Sequence, residues 1–196
     1  LSEDRAMLQR VCDEENAGVF ISTYYSSPLS TPLAMIIPDM IPEVMNWGMA
    51  TPMVAEKQYC IGQARAFICI SENTANDLKK VHPEIKPGAV TVAHCGVSRI
   101  FTPADPVEIT ELKNTHKITK PYFMLVGTRG NYKNAGLFFK AFASLNGRKN
   151  FAIVCAGGEA LLENEFKVHC EGIQIHMLRL KDVELCAAYS GAIALV

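Results

Sequence analysis

From residue 121 onward the chain alternates without a break between short apolar runs and stretches of helical periodicity: YFMLVG, NAGLFFKAFASL, FAIVCAGG, EALLENEFKVHC, IQIHML, DVELCAAYSG and AIALV. A strand that is apolar at consecutive positions has to be covered on both faces, and strands separated by helices are joined by crossovers. The pattern therefore demands a parallel sheet between two layers of helices. A polar helical piece, EITELKNTHKI, opens this Rossmann-like lobe, which is placed at residues 105–196.

Residues 1–104 carry the same theme less regularly. Ser2 can cap a helix over EDRAMLQRVCDEEN, and Gly18 closes that segment before the strand VFIS. The Ser- and Pro-rich stretch STYYSSPLSTP is a loop, LAMII a buried strand, and Pro38 and Pro42 break the chain after it. A helical pattern from Pro52 to Ala64, the strand AFICI, a helix opened by Ser71 and stopped by Pro83, and the strand AVTVAH follow. CGVSRIFTPADP, with Gly96, Pro103 and Pro106, reads as a linker, so the first lobe is expected to end near residue 104.

Basic and acidic residues nearly cancel, 19 against 20, and the formal charge of -1 lacks the positive excess of a nucleic-acid binder. No apolar run reaches the roughly 18 to 20 residues that span a bilayer, and LSEDRAML is acidic and polar where a signal peptide is basic and then apolar. The expectation is a cytoplasmic protein, with a contact to the inner face of a membrane left open. Seven scattered cysteines without a CxxC pair suggest small core hydrophobes in a reducing compartment, not a disulfide framework or a zinc site. The histidines His82, His94, His116, His169 and His176 show no metal-ligand spacing. A start on Leu1 and a strand-like end at AIALV suggest an internal piece of a longer protein.

The chemistry of the second lobe is expected in GTRGNYKN. Gly127 ends a strand, and ligands of doubly wound sheets bind beyond the carboxyl ends of strands, where helix N-termini offer free N–H groups. Arg129 and Lys133 add two cations to that turn, which reads either as a diphosphate site or as two solvated loop residues. The loop is neither GxGxxG nor a Walker loop. Gly157 and Gly158 end the next strand and allow either a tight turn or close backbone approach to a ligand. MLRLKD at 177–182 could present backbone groups to a base or be a charged turn. Asp39 and Glu43 could face a cleft, although Asp in a Pro-rich turn also serves local hydrogen bonding.

DMIPEV, AFICISENTANDLKK, VTVAHCGVSRIFTP, PYFMLVGTRGNYKN, FAIVCAGG and LRLKDVELCAAYSGAIALV, in this order, resemble the GT4-type retaining glycosyltransferases (glycosyl transferases group 1). The likeness runs from about residue 19 onward. It implies a GT-B fold of two Rossmann-like lobes, both incomplete here: 1–104 as the acceptor-side lobe and 105–196 as the nucleotide-sugar donor lobe. It further implies transfer of a sugar from a UDP- or GDP-linked donor to the hydroxyl of a carbohydrate or lipid-linked acceptor, with retention, in polysaccharide or glycoconjugate biosynthesis. No cofactor and no metal are implied. Arg129 and Lys133 would neutralise the departing diphosphate. Gly127, Thr128, Asn134, Gly157 and Gly158 would line the pocket, the backbone near Leu178 would meet the base, and Asp39 would act from the first lobe.

The resemblance also has departures. Many family members place the Arg directly after the glycine, where this chain has Thr128, and a His before the Asp, where it has Pro38. The acidic, glycine-rich donor-sugar motif expected after AIALV and the glycine-rich acceptor-side loop are not in the sequence, so this piece alone is expected not to turn over. A nucleotide-sugar epimerase of the same fold and a non-catalytic nucleotide-sugar binding module remain as alternatives.

Overall fold

The computed structural model describes residues 2–196. The chain divides into two compact units, Leu1–Gly96 and Val97–Val196. The stretch 97–104, placed by sequence at the end of the first lobe, is packed on the second unit. There the Phe101 ring meets Tyr189 edge-on at 6.3 Å, the Ala104 N–H donates to Ser190 Oγ at 2.9 Å, and the Cys186 thiol donates to the Thr102 carbonyl at 2.8 Å. The prolines signal an irregular segment, but they carry no information on which neighbour it lies against.

The first unit holds one parallel sheet of order β1-β2-β3-β4, formed by Phe20–Ser22, Leu33–Ile37, Ala64–Cys69 and Val90–Val92. Helices α1 (Ser2–Glu14), α2 (Ile41–Val44), α3 (Pro52–Gln63) and α4 (Glu72–Val81) accompany it. The Ser2 side chain, expected to cap α1, lies outside the described residues. Ser71 does cap α4, accepting from the Thr74 N–H at 3.1 Å. Pro42 does not break the chain: it sits in the first turn of α2, where its missing N–H would have had no helical partner. Leu33, Met35 and Ile37 point into a core with Cys60, Ile61 and Leu78.

The second unit begins with α5 (Pro106–Thr115), whose start is fixed by a capping box: Asp105 accepts from the Val107 N–H, and Glu108 reaches back to the Asp105 N–H, both at 2.8 Å. Strands β5 (Tyr122–Val126), β6 (Ala152–Ala156), β7 (Gln174–Leu178) and β8 (Ala194–Leu195) form a parallel sheet of order β7-β6-β5-β8. Every residue of β6 is buried. Ala152, Val154 and Ala156 pack with Leu112, Ala187 and Ala188, while Ile153 and Cys155 pack with Phe139, Phe142 and Phe166. The helices involved are α5 and α8 (Asp182–Ser190) on one face and α6 (Ala135–Ala143) and α7 (Asn164–Lys167) on the other. The continuous apolar run in the sequence is the imprint of this two-sided cover.

One helix is corrected. Periodicity gave 159–170, whereas α7 covers only Asn164–Lys167. The chain from Gly157 to Glu163 instead wraps a buried guanidinium, and its carbonyls accept from a side chain in place of a helical N–H.

Tyr122 is fully buried and donates its hydroxyl to the Ala188 carbonyl at 2.7 Å, and burial pushes its phenol from 10.0 up to about 12. The folded chain therefore keeps a proton that the unfolded chain releases near pH 10, and stability is lost as pH climbs from 10 towards 12. Tyr122→Phe is expected to cost about 1 kcal/mol at neutral pH and to make the alkaline decline shallower. Urea titrations near neutrality and in the alkaline window check both; an unchanged alkaline slope would count against the assignment.

Candidate functional site

In the sheet order β7-β6-β5-β8 the chain first steps from β5 outwards to β6 and β7, then returns to the other side of β5. The connections on the two sides of β5 thus leave in opposite directions, and a crevice opens at the carboxyl end of that strand. Sequence placed the cation-bearing loop there, and the strand order makes the place a topological switch point.

Two cavities open beyond these strand ends. The first, about 280 Å³, is lined by Val126, Gly127, Ala156, Gly157, Arg179, Leu180 and Leu185. Its floor is bare backbone, because Gly127 (φ +86°) and Gly157 (φ +76°) continue the ladder through N–H bonds to the Ala156 and Leu178 carbonyls at 2.8 and 3.0 Å. The Leu178 carbonyl is thereby used inside the sheet. It is the next two residues, Arg179 and Leu180, that line the cavity.

The second cavity, also about 280 Å³, includes Thr128, Arg129, Lys133, Asn134, Ala135 and Val196 in its lining. Lys133 ends a short 3-10 turn and is exposed, with its ammonium 5.6 Å from the Tyr132 ring centre. Asn134 takes the left-handed conformation (φ +50°) directly before α6, and its side chain makes no capping hydrogen bond. The N-terminal turn of α6 is thus left without a side-chain cap beside an exposed ammonium, an arrangement suited to an anion.

Arg129 is different. Only 2% of it is exposed. Its Nε donates to Glu163 Oε2 at 2.9 Å, Nη1 to the Gly157 carbonyl at 3.1 Å and Nη2 to the Glu159 carbonyl at 3.0 Å. Gly158 (φ +70°) closes the same junction, because a Cβ there would lie 2.6 Å from the Gly127 carbonyl oxygen. Of the two cations read from sequence, one is exposed and one is enclosed. Cys155, beneath them, is a fully buried thiol that burial pushes up to about 11, so it is protonated at neutral pH.

Asp39 lies in the first unit, apart from the glycine loops in sequence and in domain. Its carboxylate accepts from the Ile41 N–H at 3.0 Å, the local turn bond that a Pro-rich segment favours, and its carbonyl accepts from Lys57 Nζ at 2.8 Å. Lys57 was missed by sequence reasoning. It is completely buried, and it pairs with Glu43 Oε2 at 2.9 Å while Gln58 holds Glu43 Oε1 at 2.7 Å. The Tyr25 ring lies 5.5 Å from the ammonium, and its phenol is pushed up to about 12 by burial and, next, by the Asp39 charge. A lysine inside an amphipathic helix normally reaches water, so nothing in the helical pattern marks this one.

Among the described residues, no three His, Cys, Asp or Glu side chains come together so as to hold a metal ion, and no helix is long and apolar enough to cross a membrane.

No family model and no curated protein sequence matches the chain. Solved structures do. The chain is similar to WaaG, a glycosyltransferase involved in lipopolysaccharide biosynthesis, with a TM-score of 0.73 at 14% identity over 97% of this chain and 55% of that one. It is also similar to Anabaena HepE, solved with UDP and glucose, with a TM-score of 0.61 at 11% identity over 84% of this chain and 45% of that one. S. aureus MnaA, solved with UDP, matches with a TM-score of 0.57 at 12% identity over 99% of this chain and 56% of that one, and a putative UDP-N-acetylglucosamine 2-epimerase from Listeria monocytogenes with a TM-score of 0.59 at 11% identity over 99% of this chain and 56% of that one. The chain thus spans about half the length of these structures. Two parallel-sheet units, aligned along nearly the whole chain with such structures, give this protein the α/β architecture of the GT-B fold, with Rossmann-like lobes.

Proposed function

We propose that the chain is part of a glycosyltransferase that moves a sugar from a nucleotide-diphosphate donor, UDP- or GDP-linked, to an acceptor hydroxyl. The observation that carries this reading is the exposed Lys133 beside the uncapped start of α6, next to a glycine-floored cavity at the switch point of the second sheet. Lys133 and the first N–H groups of α6 would take the diphosphate, with Thr128 and Asn134 beside them. Gly127 and Gly157 would leave room for the nucleoside, with Gly158 closing the junction behind them, and Arg179 and Leu180 would stand beside the base. HepE and MnaA, which share the fold, were solved with UDP.

The finer reading follows the resemblance: retention at the anomeric carbon, a carbohydrate or lipid-linked acceptor, a role in polysaccharide or glycoconjugate biosynthesis, and a cytoplasmic site of action at a membrane face. Asp39 is the candidate carboxylate of the first unit. The likeness to a putative UDP-N-acetylglucosamine 2-epimerase from Listeria monocytogenes, matched over 99% of this chain, supports a second reading as a nucleotide-sugar epimerase.

Calorimetric titration of the full-length protein with UDP, GDP and their sugar conjugates tests the shared part of both readings, and binding of one nucleotide is the expected result. Acceptor-dependent release of sugar from that conjugate then selects the transferase, whereas conversion of the donor without an acceptor selects the epimerase. No binding of any of these compounds would sink both.

A further inference from the structure

The resemblance assigns Arg129 to the diphosphate, whereas its surroundings assign it to the chain. The residue lies between exposed Thr128 and exposed Lys133, yet it is 2% exposed itself. Nε, Nη1 and Nη2 all donate into the stretch after β6, to the Glu163 carboxylate and to the Gly157 and Glu159 carbonyls, at 2.9 to 3.1 Å. Freeing the guanidinium for a ligand would leave a carboxylate and two carbonyls without these donors. The junction also has little slack: a Cβ on Gly158 would approach Arg129 Nη1 to 3.1 Å and the Gly127 carbonyl oxygen to 2.6 Å.

We infer that Arg129 and Glu163 form a staple between the loops after β5 and β6, which makes Arg129 a positioning residue for nucleotide binding and not a ligand of the diphosphate. The binding part of this inference rests on the nucleotide reading above. The staple joins one end of the cation-bearing loop to the backbone of Gly157, which with Gly127 floors the neighbouring cavity. Its loss therefore disturbs both the floor under the nucleoside and the turn that presents Lys133. A planar fork with donors aimed at three fixed acceptors is a geometric device, and a lysine, with a single ammonium, cannot reproduce it.

The test compares the full-length protein with Arg129→Lys, Arg129→Ala and Glu163→Gln. Each is titrated with UDP and uridine, and with GDP and guanosine. Arg129→Lys and Arg129→Ala are expected to weaken nucleotide and nucleoside by the same factor, on the order of tenfold, and Glu163→Gln by less, because the glutamine oxygen still accepts from Nε. A loss confined to UDP or GDP, with the nucleoside unchanged and with Arg129→Lys restoring affinity, would overturn the inference in favour of direct contact. Hydrogen exchange provides a readout that does not depend on ligand. Arg129→Ala should speed exchange in 127–134 and 157–163 together while leaving β6 protected, and unchanged protection of 157–163 would refute the staple even in a protein that binds no nucleotide. Absence of binding by the unaltered protein would count against the nucleotide reading alone.

Discussion

Lys133→Ala is expected to weaken binding of the nucleoside diphosphate to the full-length protein by on the order of tenfold to a hundredfold. The side chain is exposed at the end of the 3-10 turn before α6, so its removal leaves no cavity and no stranded partner in the core. The loss should therefore appear in affinity and not in stability. It should also be specific to the charged part of the ligand: UDP or GDP loses affinity, while uridine or guanosine keeps it. Because the ammonium stands in solvent, its contribution is screened by salt, and the difference between the two proteins should narrow as ionic strength rises. Titration at low and high salt measures this directly. Equal losses for nucleotide and nucleoside would place Lys133 away from the diphosphate.

The second large effect is in the first unit. Glu43→Ala is expected to destabilise it by about 3–5 kcal/mol, because it strands the ammonium of a fully buried lysine. The Lys57 side chain is 0% exposed and that of Glu43 is 2% exposed, so water cannot replace the lost carboxylate. The paired change Glu43→Leu with Lys57→Met removes both charges and keeps the volume, and it should recover most of the loss. The recovery is expected to be incomplete, since the Asp39 carbonyl and Gln58 each lose a partner. Urea unfolding followed by hydrogen exchange in β2 and α4 would read the unit concerned. If the double variant were as unstable as Glu43→Ala, packing and not charge would be what Lys57 supplies.

The candidate site was legible in part. Gly127 and Lys133 stand where a strand end and a polar loop put them, because the end of an apolar run and the start of helical periodicity are both local signals. The Arg129 staple was not legible. The partner carboxylate is Glu163, in a stretch whose periodicity read as helix, and a pairing across 34 residues leaves no trace in local spacing. The same limit hid Lys57, whose carboxylate partner lies 14 residues earlier, beyond a turn and a loop.

Two-sided burial was written into the sequence by itself, because β6 must be apolar at every position to lie between two helical layers. That property fixed the parallel sheet and the alternation of strand and helix. Strand order, the switch point beside β5 and the burial of one cation of the loop while the other stays exposed were decided only by tertiary structure. Each depends on which distant backbone or carboxylate comes within about 3 Å, and local periodicity cannot encode a partner remote in sequence.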